Sequence, residues 1–167
     1  PENPKRMASP AAAIVCGLGP EGKLLAKDLV YTVRQAVLAY AQRLSEHPQG
    51  APADFELAAT LIGSGGTGIT TGGAAIAVAL GAVEATQRLQ KSGWPQLSRL
   101  IVVELFLDRA GDAWRALHVQ QTATPDRLKV VGHVESGAGA MTRMVDSGYR
   151  GASYDLISAL QAPLAGD

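Results

Sequence analysis

Leu57-Ala-Ala-Thr-Leu-Ile62, then Gly63-Ser-Gly-Gly-Thr-Gly-Ile-Thr-Thr-Gly-Gly73, then an alanine-rich segment running on to Leu89, carry the strongest structural signal in the chain. The stretch reads as strand, glycine loop and helix. Six of the eleven residues from 63 to 73 are glycine. That is more backbone entropy than a plain connector needs, so the loop is expected to use positive φ or to leave a backbone that something approaches closely. A helix beginning near Thr70 or Thr71 directs unpaired N–H groups and the positive end of its dipole at the loop, and Ser64, Thr67, Thr70 and Thr71 add hydroxyls. The pattern predicts a site for an anionic ligand, without naming it, built from Gly63, Ser64, Gly65, Gly66, Thr67, Gly68, Ile69, Thr70 and Gly72. The alternative is a tight turn that only packs the helix on a sheet.

Upstream, Ala12-Ala-Ile-Val-Cys16 reads as a short buried strand ending in Gly17-Leu-Gly-Pro-Glu-Gly-Lys23. A helix follows from Leu25, with Leu29, Val33, Val37, Tyr40/Ala41 and Leu44 at helical spacing, and stops before His47-Pro48. A turn-rich link leads to the strand Phe55 to Ile62. Downstream, Ile76, Ala79/Leu80, Val83 and Leu89 form a helical stripe, and the alanines with Gly81 are expected to let that helix lie close to a sheet. It ends near Lys91-Ser-Gly-Trp-Pro95. Leu100 to Leu107 is apolar enough for a strand covered on both faces. Asp108 is the expected N-cap of a short helix through Trp114 and Leu117. Leu128 to Glu135 reads as an edge strand with Lys129, His133 and Glu135 on one face.

This alternation predicts an α/β domain with a largely parallel sheet. In such folds ligands bind beyond the carboxyl ends of the strands, where the loops after Cys16, Ile62 and Leu107 would open, so Gly17 and Gly19 join the candidate site. The length suits one domain, over residues 12–135. Residues 1–11 read as a linker, and the Pro1-Glu-Asn-Pro start suggests a piece of a longer polypeptide. Residues 136–167 read as a tail packed on the domain or leading to the next one.

Fifteen basic residues balance fifteen acidic ones, and no basic run exceeds Lys5-Arg6, which argues against general nucleic-acid binding. No apolar run approaches a membrane span and no basic segment precedes an apolar one, so no membrane partner is expected. Cys16 is the one cysteine, which excludes an internal disulfide and a paired-cysteine zinc site and fits a reducing cytoplasm.

Other motifs carry less chemistry. Gly17 to Lys23 matches seven places of G-x-x-x-x-G-K-[ST], but Leu24 stands where a hydroxyl would hold Mg²⁺, leaving a structural turn as the better reading against a degenerate NTPase. Cys16 at a strand end reads as a small buried apolar residue. His47, His118 and His133 have no metal-ligand spacing. Glu104 interrupts an apolar strand and, if buried, needs a partner. Trp94, Trp114 and Tyr149 read as packing residues rather than base-stacking platforms.

Ala59-Thr-Leu-Ile-Gly-Ser-Gly-Gly66-Thr67-Gly68-Ile69-Thr-Thr-Gly72-Gly, with the alanine-rich helix and Leu100-Ile-Val-Val-Glu-Leu-Phe-Leu-Asp108 after it, resembles the second half of a macro domain. Ile14-Val-Cys-Gly-Leu-Gly19 with the helix Leu25 to Leu44 is similar to the macro-type amino-terminal domain of leucine aminopeptidases. Together these cover about two thirds of the chain. The resemblance implies a three-layer α/β/α sandwich with a mostly parallel, mixed sheet, and a cleft that holds ADP-ribose or a related nucleotide. It places the diphosphate on Gly66, Thr67, Gly68, Ile69 and Gly72. The family's Gly-Asp-Ile, Asn-Ala-Ala-Asn and Gly-Gly-Val stretches are missing, which argues against ADP-ribosyl hydrolysis. The sequence-based expectation is therefore a non-catalytic macro-like module of a larger bacterial-type protein, binding a nucleotide-type or other anionic ligand. The alternative is an accessory domain that positions or oligomerises an attached catalytic domain such as a peptidase. No cofactor is assigned.

Overall fold

Apolar residues recurring at helical spacing, and alternating ones between them, give the chain the order α1 (Ala26–Ser45), β1 (Asp54–Thr60), α2 (Thr71–Ser92), β2 (Gln96–Val103) and α3 (Leu107–Ala123). These elements come from a computed structural model that describes residues 12–20, 22–46, 50, 52–62 and 68–135. The fold is mixed α/β, with three helices and a two-stranded parallel sheet among the described residues.

Helix α2 is central because it is apolar nearly all round. Ala74, Ala75, Ala77, Val78, Ala79, Ala82, Ala85 and Leu89 are buried, a pattern that demands neighbours on several sides. One side meets α1 and another meets α3. Gly81 makes the α1 contact possible: a Cβ there would lie 2.7 Å from the Val30 carbonyl oxygen and 2.8 Å from Val33 Cβ. The glycine thus serves a helix–helix approach and not the helix–sheet approach expected of it. Beside it the Arg34 guanidinium donates to Glu84 across 2.6 Å. The helix starts at the Thr70 cap and stops at Gly93, whose φ of +72° closes the last turn.

Strands β1 and β2 are parallel and in step at their carboxyl ends, with Thr60 opposite Val103. Phe55, Leu57 and Ala59 of β1 and Leu97 and Leu100 of β2 pack into the two apolar clusters beneath the helices. Leu97 and Leu100 are three residues apart, which a regular two-residue period cannot place on one face. A bulge at Ser98 resolves this, and its hydroxyl donates to the Phe55 carbonyl at 3.1 Å. The Tyr40 ring meets Phe55 edge-on at 5.3 Å.

Several expectations are corrected. Residues 12–16 form no strand; Val15 is 95% exposed and Cys16 is exposed rather than buried. β2 begins at Gln96, not Leu100, and Ile101 and Val103 are exposed, so the expected cover on both faces is missing among the described residues. α3 is capped by Phe106 and extends to Ala123; Asp108 lies inside its first turn, where Oδ1 accepts from the Arg109 amide at 3.0 Å. Residues 128–135 form no strand. They are tied to α3 instead: Gln121 Oε1 accepts from the Val130 amide at 2.6 Å, and Val131 O accepts from Trp114 Nε1 at 3.0 Å with His118 Nε2 at 3.1 Å.

Candidate functional site

Parallel pairing sends the chain out of β1 and β2 at the same end, so the segment after Thr60 and the turn after Val103 lie together. Residues 63–67 lie outside the described residues, which removes Gly63, Ser64, Gly65, Gly66 and Thr67 from the geometry. Gly68, Ile69, Thr70 and Gly72 remain. Gly68 has a φ of +81° with nothing within 4 Å of a would-be Cβ, so its glycine is required by conformation and not by crowding. Ile69 packs into the apolar cluster around Leu29, Ala74 and Val78.

Thr70 is the pivot of the site. Its Oγ1 accepts from the Gly73 amide at 3.0 Å and its carbonyl accepts from the Ala74 amide at 2.8 Å, which starts α2 and leaves the amides of Thr71 and Gly72 at the amino-terminal end of the helix. Replacing Thr70 by Ala is expected to lower stability by about 1 kcal/mol, and by Ser to leave it nearly unchanged, read as the urea midpoint.

Gly72 answers to a second demand. A Cβ there would meet Ala116 Cβ at 2.8 Å, so this residue also lets the start of α2 lie against α3. Gly17 and Gly19 are exposed, and Leu18 between them packs into the same cluster as Leu61 and Ile69, so the first turn and the end of the glycine loop share one corner of the core. Leu24, in place of the P-loop hydroxyl, is buried at 6% exposure. The Gly17–Lys23 turn is therefore anchored by packing.

The turn between β2 and α3 holds an ion pair that the sequence only half discloses. Glu104 Oε1 accepts from the amides of Leu105 at 2.8 Å and Phe106 at 3.2 Å, while Oε2 takes Arg109 Nε at 3.0 Å. Both side chains are close to nine-tenths buried. Glu104 marks itself as an acid in an apolar run, but its partner, one turn into α3, carries no sequence signal.

A cavity of about 640 Å³ lies away from this corner, between α2, the outer edge of β2, α3 and residues 126–135. Ala82, Val83, Leu100, Ala113 and Leu117 line its base, and the Arg99–Glu135 and Glu104–Arg109 pairs stand at its margin. Its outer wall is polar, with Arg99, Arg127, Lys129 and His133 beside Asp126 and Glu135. Trp114 and His118 at its edge are engaged with Val131, and Trp94 packs on the core beside Phe55. His47 and Tyr149 lie outside the described residues. Among the described residues no cluster of side chains is arranged to hold a metal ion, and no helix is long and apolar enough to cross a membrane. Comparison with protein-family models, with curated proteins and with solved structures finds no match to this chain.

Proposed function

We propose that this chain is a non-catalytic macro-like module of a larger protein, which binds a nucleotide-type, ADP-ribose-like or other anionic ligand where the glycine loop meets α2. The observation that supports this most is the Thr70 cap: it starts α2 and leaves the amides of Thr71 and Gly72 at the amino-terminal end of the helix. Two backbone donors at the positive end of a 22-residue helix suit a diphosphate. The left-handed Gly68 beside them keeps that approach clear of side-chain atoms. A second helical layer on the open side of the sheet would complete the three-layer sandwich that this reading carries.

Thermal melting with ADP-ribose, NAD and ATP tests the reading. A ligand at about 100 times its Kd adds roughly 2.7 kcal/mol of stability, a readily measured shift. An unchanged melting temperature with all of them contradicts nucleotide binding and favours an accessory domain that positions a neighbouring domain such as a peptidase. That second reading draws on Gly72 and Gly81, both of which serve close helix packing.

A further inference from the structure

The edge of β2 that faces away from β1 opens into the cavity of about 640 Å³, and it does so with its backbone. Every residue from Leu97 to Val102 lines the cavity, although Leu97 and Leu100 belong to the helix-covered face and Arg99 and Ile101 to the other. A strand shows both of its faces at once only when it is seen side-on. Past the bulge, residues 99–103 stay in regular register with β1, which leaves roughly 16 Å of straight edge. Apart from the pairing with β1, no backbone hydrogen bond reaches residues 97–103 among the described residues. Alternate residues along such an edge direct an amide and a carbonyl outward, ready to pair with another strand.

The opposite wall does not supply that strand. Most of residues 126–135 line it, but the Val130 amide goes to Gln121 and the Val131 carbonyl meets Trp114 and His118, all on α3. These bonds hold the wall off β2 and keep a slot between them, floored by Ala82, Val83, Leu100, Ala113 and Leu117. Its volume of about 640 Å³ falls within the roughly 300–1,000 Å³ of ligand sites. Along the wall, Arg127 and Lys129 are exposed and make no ion pair among the described residues.

We propose that the slot takes an extended peptide segment of a partner protein, which adds to β2 as a third strand. Its apolar residues lie on the floor and its alternate, acidic residues face Arg127 and Lys129. An acyl chain or an aromatic ligand would cover the floor but leave the outward amides and carbonyls of β2 without hydrogen bonds, which disfavours both. The wall bars a second copy from bringing its own sheet edge alongside, so a single strand is what fits. This site is separate from the glycine loop and independent of any ligand there.

Fluorescence anisotropy of the full chain with a labelled Val-Glu-Val-Glu-Val-Glu peptide tests it. Saturable binding is expected, with slowed amide hydrogen exchange along residues 99–103. N-methylating the valine amides or, separately, the glutamate amides removes the donors of one peptide edge at a time. The set that faces β2 is expected to weaken binding by about tenfold or more, and the other set far less. Reversing the wall charge with Arg127→Glu and Lys129→Glu, both exposed positions, is expected to weaken the glutamate peptide several-fold and to strengthen a Val-Lys-Val-Lys-Val-Lys peptide. No binding by the glutamate peptide, equal losses from the two methylated sets, or an unchanged preference in the charge-reversed protein would each overturn the proposal.

Discussion

Gly81→Val is expected to be the most damaging single substitution on the helical side of the sheet, lowering stability by about 3 kcal/mol. Two effects compete. Removing a glycine from the interior of α2 favours the helix by up to about 1 kcal/mol. Against that, the new Cβ falls 2.7 Å from a backbone oxygen of α1 and 2.8 Å from Val33 Cβ, and neither can move without displacing the helix that carries it. Overpacking of a dense contact costs about 1–3 kcal/mol before the two further methyls of valine are counted, so the clash wins. Separating α1 from α2 also strains the 2.6 Å Arg34–Glu84 pair that bridges them. Gly81→Ala should fall between, near 1 kcal/mol, because the propensity gain offsets more of a smaller clash. Urea midpoints order the three proteins; a valine variant within about 0.5 kcal/mol of the parent would show that the helices are not in close contact at Gly81.

Glu104→Ala carries the next largest expectation, a loss of about 3 kcal/mol. The cost comes from what is left behind: a largely buried Arg109 guanidinium that has lost the Glu104 carboxylate, and the Leu105 and Phe106 amides without their acceptor. Glu104→Gln should cost less, since its amide oxygen still accepts one of these bonds. Because Arg109 is the first basic side chain of α3, Arg109→Ala and Glu104→Ala should be strongly non-additive in a double-mutant cycle. Additive losses would mean that the pair is not what joins β2 to α3.

These two residues also show where sequence stops being informative. Helix α2 was legible almost to the residue, because a threonine cap, a run of alanines and a terminal glycine each act locally. Glu104 was legible as an anomaly only. Its oxygens take the amides of Leu105 and Phe106, so α3 starts at Leu107 with Phe106 at the N-cap and Asp108 lies inside the first turn, although an aspartate there is the local signal for a cap. The start of β2 was set at distance as well, by the pairing of Phe55 with Leu97 and the bulge at Ser98. Residues 12–16 and 128–135 have the composition of strands, but a strand also needs a partner edge. The second segment instead gives its backbone groups to Trp114, His118 and Gln121 of α3, an arrangement that depends on side chains at helical spacing one element away. Of the candidate site, Gly68 and Thr70 take up the geometry the glycine pattern implies, whereas the α3 contact of Gly72 is invisible without the packed helices.

The most direct test of the anion-binding account is a titration of backbone amide NMR signals with ADP-ribose and, in parallel, inorganic pyrophosphate. Saturable shifts are expected on Gly68, Thr71 and Gly72, with smaller ones on Leu18 and Gly19. Unmoved signals at those amides, or shifts gathered on the residues between α2, β2 and α3, would contradict it.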